Sequence, residues 1–292
     1  MNPKTKNLLV RTAAGAVYVA LMVAGTFCPP LMCVLMAAVS VLAIFEFGKL
    51  TSTPTDLFTR ILMTAAAIII QFCLLFEYYS EGGGYLYDGK ASVVMVFFGL
   101  VLVSIFLLAL IFSIRELIST EPNPIERIST GLGGTLWIVF PLAAITTLSF
   151  IRPSDALALF ILIWSYDTFA YLGGSLLGKH KMCPHISPGK TWEGTVIGCV
   201  LTLVLAWFLP LIPYFGALRE CHWDWILFAL IIVVFGTCGD LVESLFKRNA
   251  GVKDSGNIMP GHGGILDRFD SLLFAALPAL IYITILFLDT PY

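Results

Sequence analysis

The densest chemistry in the chain lies between Gly239 and Ser271. There Asp240, Glu243, Ser244, Lys247, Arg248, Lys253, Asp254, Asp267, Arg268 and Asp270 flank the run Pro260-Gly261-His262-Gly263-Gly264. On a helix Asp240, Ser244 and Lys247 fall along one stripe with Glu243 beside it, and Asp267 and Asp270 stand one turn apart. Carboxylates beside cations around a glycine loop suit a divalent metal holding a polyphosphate. Mg2+ takes one or two carboxylates with phosphates and water, and Lys and Arg neutralise the remaining oxygens. The glycines let a backbone approach a ligand with no side chain in the way. A structural alternative stands beside this reading, because acidic residues in the first turn of a helix also act as caps. A Ser-His-Asp triad is not needed if the nucleophile is a phosphate monoester, already anionic at neutral pH.

A second group is Ser187-Pro-Gly189-Lys190-Thr191-Trp-Glu193-Gly. Gly189 frees backbone N–H groups, Ser187 and Thr191 offer hydroxyls and Lys190 a point charge, a set that suits phosphate oxygens. The upstream glycine and strand of a P-loop are missing, which excludes a nucleotide-triphosphatase domain; a plain turn carrying a lysine is the local alternative. The third element is Asp167, in the middle of an apolar stretch, where a carboxylate costs about 2.5–3.5 kcal/mol. It either fastens helices together or lines a polar cavity with Trp164, Thr168 and Tyr171, which share its helix face at spacings of three and four. Gly174 and Gly178 on that helix permit close packing by a neighbour.

These groups must be positioned by membrane helices. Of 292 residues, 58% are hydrophobic and only 12% charged, about half the charge of a water-soluble domain, and the mean hydropathy is +0.91. Apolar runs of helix-spanning length predict nine transmembrane helices at roughly 12–28, 31–48, 61–77, 92–113, 132–150, 156–177, 194–212, 225–246 and 271–288. With the N-terminus cytoplasmic, Lys90, Arg152 and Arg219 alone among the 17 Lys and Arg residues fall outside. That bias places the C-terminus on the opposite side. Residues 1–150 carry five spans and read as a scaffold with oligomer contacts; residues 151–292 carry four spans, the two polar loops and the chemistry. Glu46, near the inner end of the second span, reads as a solvated interfacial carboxylate. His180, Cys183 and His185 share a loop but lack a fourth zinc ligand at the usual spacing. The net charge of −2 gives no global attraction to nucleic acid.

The stretch Ser244-x-Phe-Lys247-Arg248, Lys253-Asp254, Pro260-Gly-His262-Gly263-Gly264-Ile-x-Asp267-Arg268-Phe-Asp270 resembles the signature of the phosphatidate cytidylyltransferases, also called CDP-diacylglycerol synthases. The Trp164-x-x-Asp167-Thr-x-Ala-Tyr171 and Ser187-to-Gly194 segments are similar to that family too. The resemblance implies an all-α, polytopic, Mg2+-dependent nucleotidyltransferase of phospholipid biosynthesis, which joins CTP and phosphatidic acid into CDP-diacylglycerol and pyrophosphate. It further implies a homodimer in the cell inner membrane with a cytoplasm-facing site, and a metal centre that can include a monovalent cation such as K+. By motif match Asp240 and Asp267 serve that metal. Asp167 extends the shell or orients a phosphate-binding cation, and Lys190, Lys247, Arg248, Lys253 and Arg268 neutralise phosphates. His262 donates to a phosphate or holds the Gly263-Gly264 loop, while Ser187, Thr191 and Ser244 contact substrate. A CTP-dependent polyprenol kinase would move the γ-phosphoryl group instead, and a secondary transporter would spread polar residues through both halves.

Overall fold

The computed structural model describes residues 3–51, 55–80, 87–216, 221–258 and 263–289, with the backbone alone for 3–10, 87–90 and 287–289. Backbone groups in hydrocarbon must be satisfied within their own segment, and the apolar runs accordingly form helices. These are α1 (Pro3–Phe27), α2 (Pro29–Leu50), α3 (Leu57–Ser80), α4 (Tyr87–Ile118), α5 (Pro124–Gly134), α6 (Phe140–Ile151), α7 (Pro153–Leu177), α8 (Trp192–Phe208), the short α9 (Pro213–Gly216), α10 (His222–Asn249) and α11 (Leu266–Asp289). Among the described residues eight helical stretches are long and apolar enough to cross a membrane, and Arg11–Phe27 is a shorter apolar helix. Eight of the nine expected spans fall on these eight stretches, and the expected first span falls on the shorter helix. The chain is a polytopic helical membrane protein.

Two departures from the expected architecture have physical causes. The fifth span begins earlier than expected, because α5 runs through a π-helical segment, Thr135–Val139, into α6 as one rod from Pro124 to Ile151. Pro141, just beyond the π turn, has no N–H to continue a regular ladder. The loop after α7 is a small antiparallel hairpin, β1 (Lys181–Cys183) and β2 (Ser187–Thr191), with Lys181 opposite Thr191 and Cys183 opposite Ser187. Strands this short, the second interrupted by Pro188 and Gly189, leave no alternating pattern in the sequence.

Every residue of α6 is buried, and α2, α3, α4, α7 and α11 pack around it. By contrast only 17% of the apolar window of α4 is buried. Its Met95, Leu102 and Phe106 are exposed side chains that face lipid in a membrane. α7 and α8 approach closely through small residues: a Cβ on Gly198 would stand 2.8 Å from Ala170 Cβ, and one on Gly194 would stand 2.6 Å from the Ala170 carbonyl. Backbones can meet this way only where side chains are minimal, which is the role expected of Gly174.

Polar contacts gather the connections at one end of the bundle. Arg60 donates to Thr55 Oγ1 and the Gly48 carbonyl, Arg115 pairs with Asp56 and Glu116, and Arg127 pairs with Glu116. Burial alone would raise the Asp56 carboxyl, but hydrogen bonds from Thr59 and the charge of Arg115 hold it below the ordinary carboxylate value. At the same end Arg248 Nε donates to the Ile186 carbonyl at 3.1 Å, fastening the hairpin turn to the end of α10.

Candidate active site

A stripe of α7, the hairpin, the first turns of α8 and one residue of α10 enclose a cavity of about 470 Å³. Tyr166, Asp167, Ala170, Tyr171 and Gly174 contribute at helical spacing, and Ser187, Gly189, Lys190 and Thr191 enter from β2. Asp240 closes the cavity from α10. Lys190 Nζ stands 2.8 Å from Asp240 Oδ2, the Lys190 side chain 21% exposed and that of Asp240 31%. Asp240 also accepts from Ser244 Oγ at 3.3 Å, one helical turn on. Asp167 is open to the cavity. The charges of Asp240, Lys190 and Arg268 act on Asp167, and those of Asp240, Glu243 and Asp167 act on Asp270.

The cavity differs in detail from the face expected of α7. Trp164 is not in its lining; its ring packs on Tyr18 and Phe160 with centroids at 5.8 and 5.6 Å. Thr168 Oγ1 donates to the Trp164 carbonyl instead. Tyr166 is present although unforeseen, its hydroxyl 2.6 Å from Thr237 Oγ1. Thr191 has a structural task besides lining the cavity, because its Oγ1 accepts the Gly194 N–H as the N-cap of α8.

A second cluster lies further along the α10 stripe. Lys247 Nζ pairs with Glu243 and with Asp267 Oδ1, the latter at 2.7 Å; these three side chains are 12%, 0% and 7% exposed. Asp267 Oδ2 accepts from Gly264 N at 2.7 Å, Ser255 N at 3.0 Å and Ser255 Oγ at 3.1 Å. The carboxylate in the first turn of α11 thus organises the connection before it. Gly263, at φ +86°, and Gly264 serve that packing. A Cβ on Gly263 would collide with Asp267, and one on Gly264 would fall on Ser255 Oγ and Glu46. Their missing side chains make room for carboxylates of the protein itself, where close approach to a ligand was expected.

Glu46 departs from the solvated carboxylate expected at this helix end. It is 1% exposed and accepts from Ser255 Oγ at 2.9 Å, Ile265 N at 3.0 Å and Leu266 N at 2.9 Å. A lone acidic residue near a helix end carries no mark in sequence that separates a solvated carboxylate from one docked under a loop; here Gly256 and Gly264, both packed on it, were the available signal. Of the remaining expected residues, Arg248 holds the hairpin, and Lys253 and Arg268 are exposed. His262 lies outside the described residues.

The donor set fits a hard divalent cation. Among the described residues no three His, Cys, Asp or Glu side chains converge into a metal cage, and His180 is instead engaged by Glu193. Mg2+ needs no such cage, since it binds through one or two carboxylates with phosphates and water. Asp240 and Asp167 present oxygens to one cavity beside Lys190. Asp267 shares Oδ1 with Lys247, and its Oδ2 is held by the Gly264 and Ser255 N–H groups, with Ser255 Oγ shared between it and Glu46, so it would reach an ion by giving up the lysine. A larger cavity of about 640 Å³, lined by Phe47, Trp137, Phe246 and Phe274 with Glu126 its one ionisable group, offers no comparable chemistry.

The sequence profile of the cytidylyltransferase family matches residues 8–286. The chain belongs to the cytidylyltransferase family. Family membership therefore covers both halves, the α2 carboxylate as well as the α10–α11 signature. Among similar proteins, a phosphatidate cytidylyltransferase of Bacillus subtilis (strain 168) is 52% identical over 132 residues, 44% of this chain and 46% of that protein. One of Staphylococcus aureus (strain COL) is 52% identical over 122 residues, and one of Staphylococcus haemolyticus (strain JCSC1435) is 50% identical over 122 residues. Each of these two matches covers 41% of this chain and 45% of the relative. The matched stretch spans just under half the length of these relatives.

Proposed function

We propose that the protein is a phosphatidate cytidylyltransferase, joining CTP to phosphatidic acid to give CDP-diacylglycerol and pyrophosphate. The observation that carries this reading is the convergence of Asp167, Lys190 and Asp240 on one cavity, beside the hairpin hydroxyls. A phosphate oxygen of phosphatidic acid attacks the α-phosphorus of CTP in line. One P–O bond forms there, the bond from the α-phosphorus to the β-bridging oxygen breaks, and pyrophosphate leaves. The nucleophile is anionic at neutral pH, so no side chain has to remove a proton. Positioning and charge neutralisation do the work.

Lys190 is the cation best placed for the triphosphate, held at a defined position by Asp240. Ser187 and the N–H groups around Gly189 supply donors, and Arg268, whose charge acts on Asp167, neutralises a second phosphate. Asp240 and Asp167 would hold Mg2+, with Asp267 joining if Lys247 yields its contact. The ion supplies charge neutralisation on phosphoryl oxygens. Lys247 and Arg248 act through the platform they hold; Lys253 is exposed at its edge and free to meet phosphates arriving from solution. The cavity sits at the end of the bundle where the polar connections gather. The charge bias of the loops supports a cytoplasmic setting for that end, and an inner-membrane location belongs to the same reading, with CTP arriving from water and the lipid keeping its tails in the leaflet. A homodimer and a monovalent cation belong to the same reading.

Position-specific label tests the reaction. With purified protein, phosphatidic acid and Mg2+, phosphorus label from the α position of CTP is expected in the lipid product and label from the γ position in pyrophosphate. Lipid labelled from the γ position would replace this reading with a lipid kinase.

A further inference from the structure

Glu46 belongs to α2, yet among the described residues the groups that donate to it belong to the last connection and to α11. A buried carboxylate is tolerated only where hydrogen bonds replace its water. Here that compensation comes from Ser255 Oγ and the N–H groups of Ile265 and Leu266. Leu266 is the first residue of α11, so Glu46 caps this helix from another helix, where orphan N–H groups and the macrodipole favour an anion. Gly256 and Gly264 have no side chain where the carboxylate sits. Ser255 Oγ lies within hydrogen-bond reach of both Glu46 Oε2 and Asp267 Oδ2, at 2.9 and 3.1 Å. One hydroxyl thereby joins the α2 carboxylate to the signature carboxylate, whose other oxygen holds Lys247.

We infer that Glu46 is a positioning residue for the transfer reaction: it fixes the Ser255–Leu266 connection and the first turn of α11, and through them the placement of Asp267 and Arg268. The catalytic half of this inference rests on the proposed cytidylyl transfer; the structural half does not. Glu46→Gln replaces one acceptor oxygen by an NH2 group facing N–H and O–H donors, with little change in size. Glu46→Asp keeps the charge.

The test uses the full chain in detergent micelles and reads two quantities. Amide hydrogen exchange at Gly264, Ile265 and Leu266 is expected to be at least about tenfold faster in Glu46→Gln, with the middle of α11 unchanged. Turnover is expected to fall about 10–100-fold, as for other residues that orient a ligand shell, with the KM for CTP within about threefold and part of the loss restored in Glu46→Asp. Unchanged exchange, or full turnover despite faster exchange, would overturn the inference. A turnover loss that only tracks the fraction of folded protein would overturn it too. If Glu46→Gln does not purify, Ser255→Ala is the milder variant, removing one of the three bonds, and is held to the same two outcomes. Should the wild-type protein transfer no cytidylyl group, the proposed reaction fails, and exchange alone then upholds or overturns the anchoring of the connection by Glu46.

Discussion

Replacing Asp240 with Asn should lower cytidylyl transfer by about a thousandfold, close to 4 kcal/mol of transition-state stabilisation, while leaving the protein folded. The size follows from two losses at once. Asp240 is the cavity carboxylate that fixes Lys190 at 2.8 Å, and it is one of the two groups open to the same cavity that would hold the metal. The retained fold follows from its setting. The side chain is 31% exposed, so the amide can be hydrated, and Asn keeps an oxygen to accept from Ser244 Oγ. Steady-state transfer alongside thermal unfolding in detergent checks both halves. Activity within tenfold of wild type would remove Asp240 from the site, and a collapse of the folded state would make it structural.

The second large effect is on stability. Lys247→Met leaves Glu243 and Asp267 facing each other, 0% and 7% exposed, without the ammonium that separates them. Removing one partner of a buried ion pair costs about 3–5 kcal/mol, because the remaining charge stays uncompensated. A marked fall in melting temperature and in folded yield is therefore expected, with activity lost in proportion or beyond. The double variant Lys247→Met/Glu243→Gln should regain part of that stability, since it removes one uncompensated carboxylate. Such non-additivity is what a coupled cluster produces. Equal melting temperatures for wild type and Lys247→Met would show that the cluster contributes nothing to the fold.

Some of this was legible in the residues and some was not, for physical reasons. Asp167 stood out because hydrocarbon penalises a carboxylate, and Lys190 because a glycine–lysine turn beside hydroxyls is unusual at the end of a membrane helix. Their convergence with Asp240 required the α7–α8 packing, which Gly174 foreshadowed and which Gly194 and Gly198 complete. The hairpin was hidden because a three-residue and a five-residue strand carry no periodicity. Gly263 and Gly264 suit a ligand-facing role in sequence, where a glycine that makes room for a substrate and one that makes room for a buried carboxylate look alike. Asp267 takes its metal role from the motif match alone, and nothing in the motif shows that Lys247, Ser255 and Gly264 also hold its carboxylate. Glu46 shows the same limit over more than 200 positions of separation from Ser255.

Pyrophosphate release measures the central claim most directly. With purified protein in micelles, phosphatidic acid, Mg2+ and each of the four ribonucleoside triphosphates in turn, release is expected with CTP, and only while both the lipid and the metal are present. Release that ignores phosphatidic acid, or that proceeds as fast with ATP as with CTP, would contradict the account.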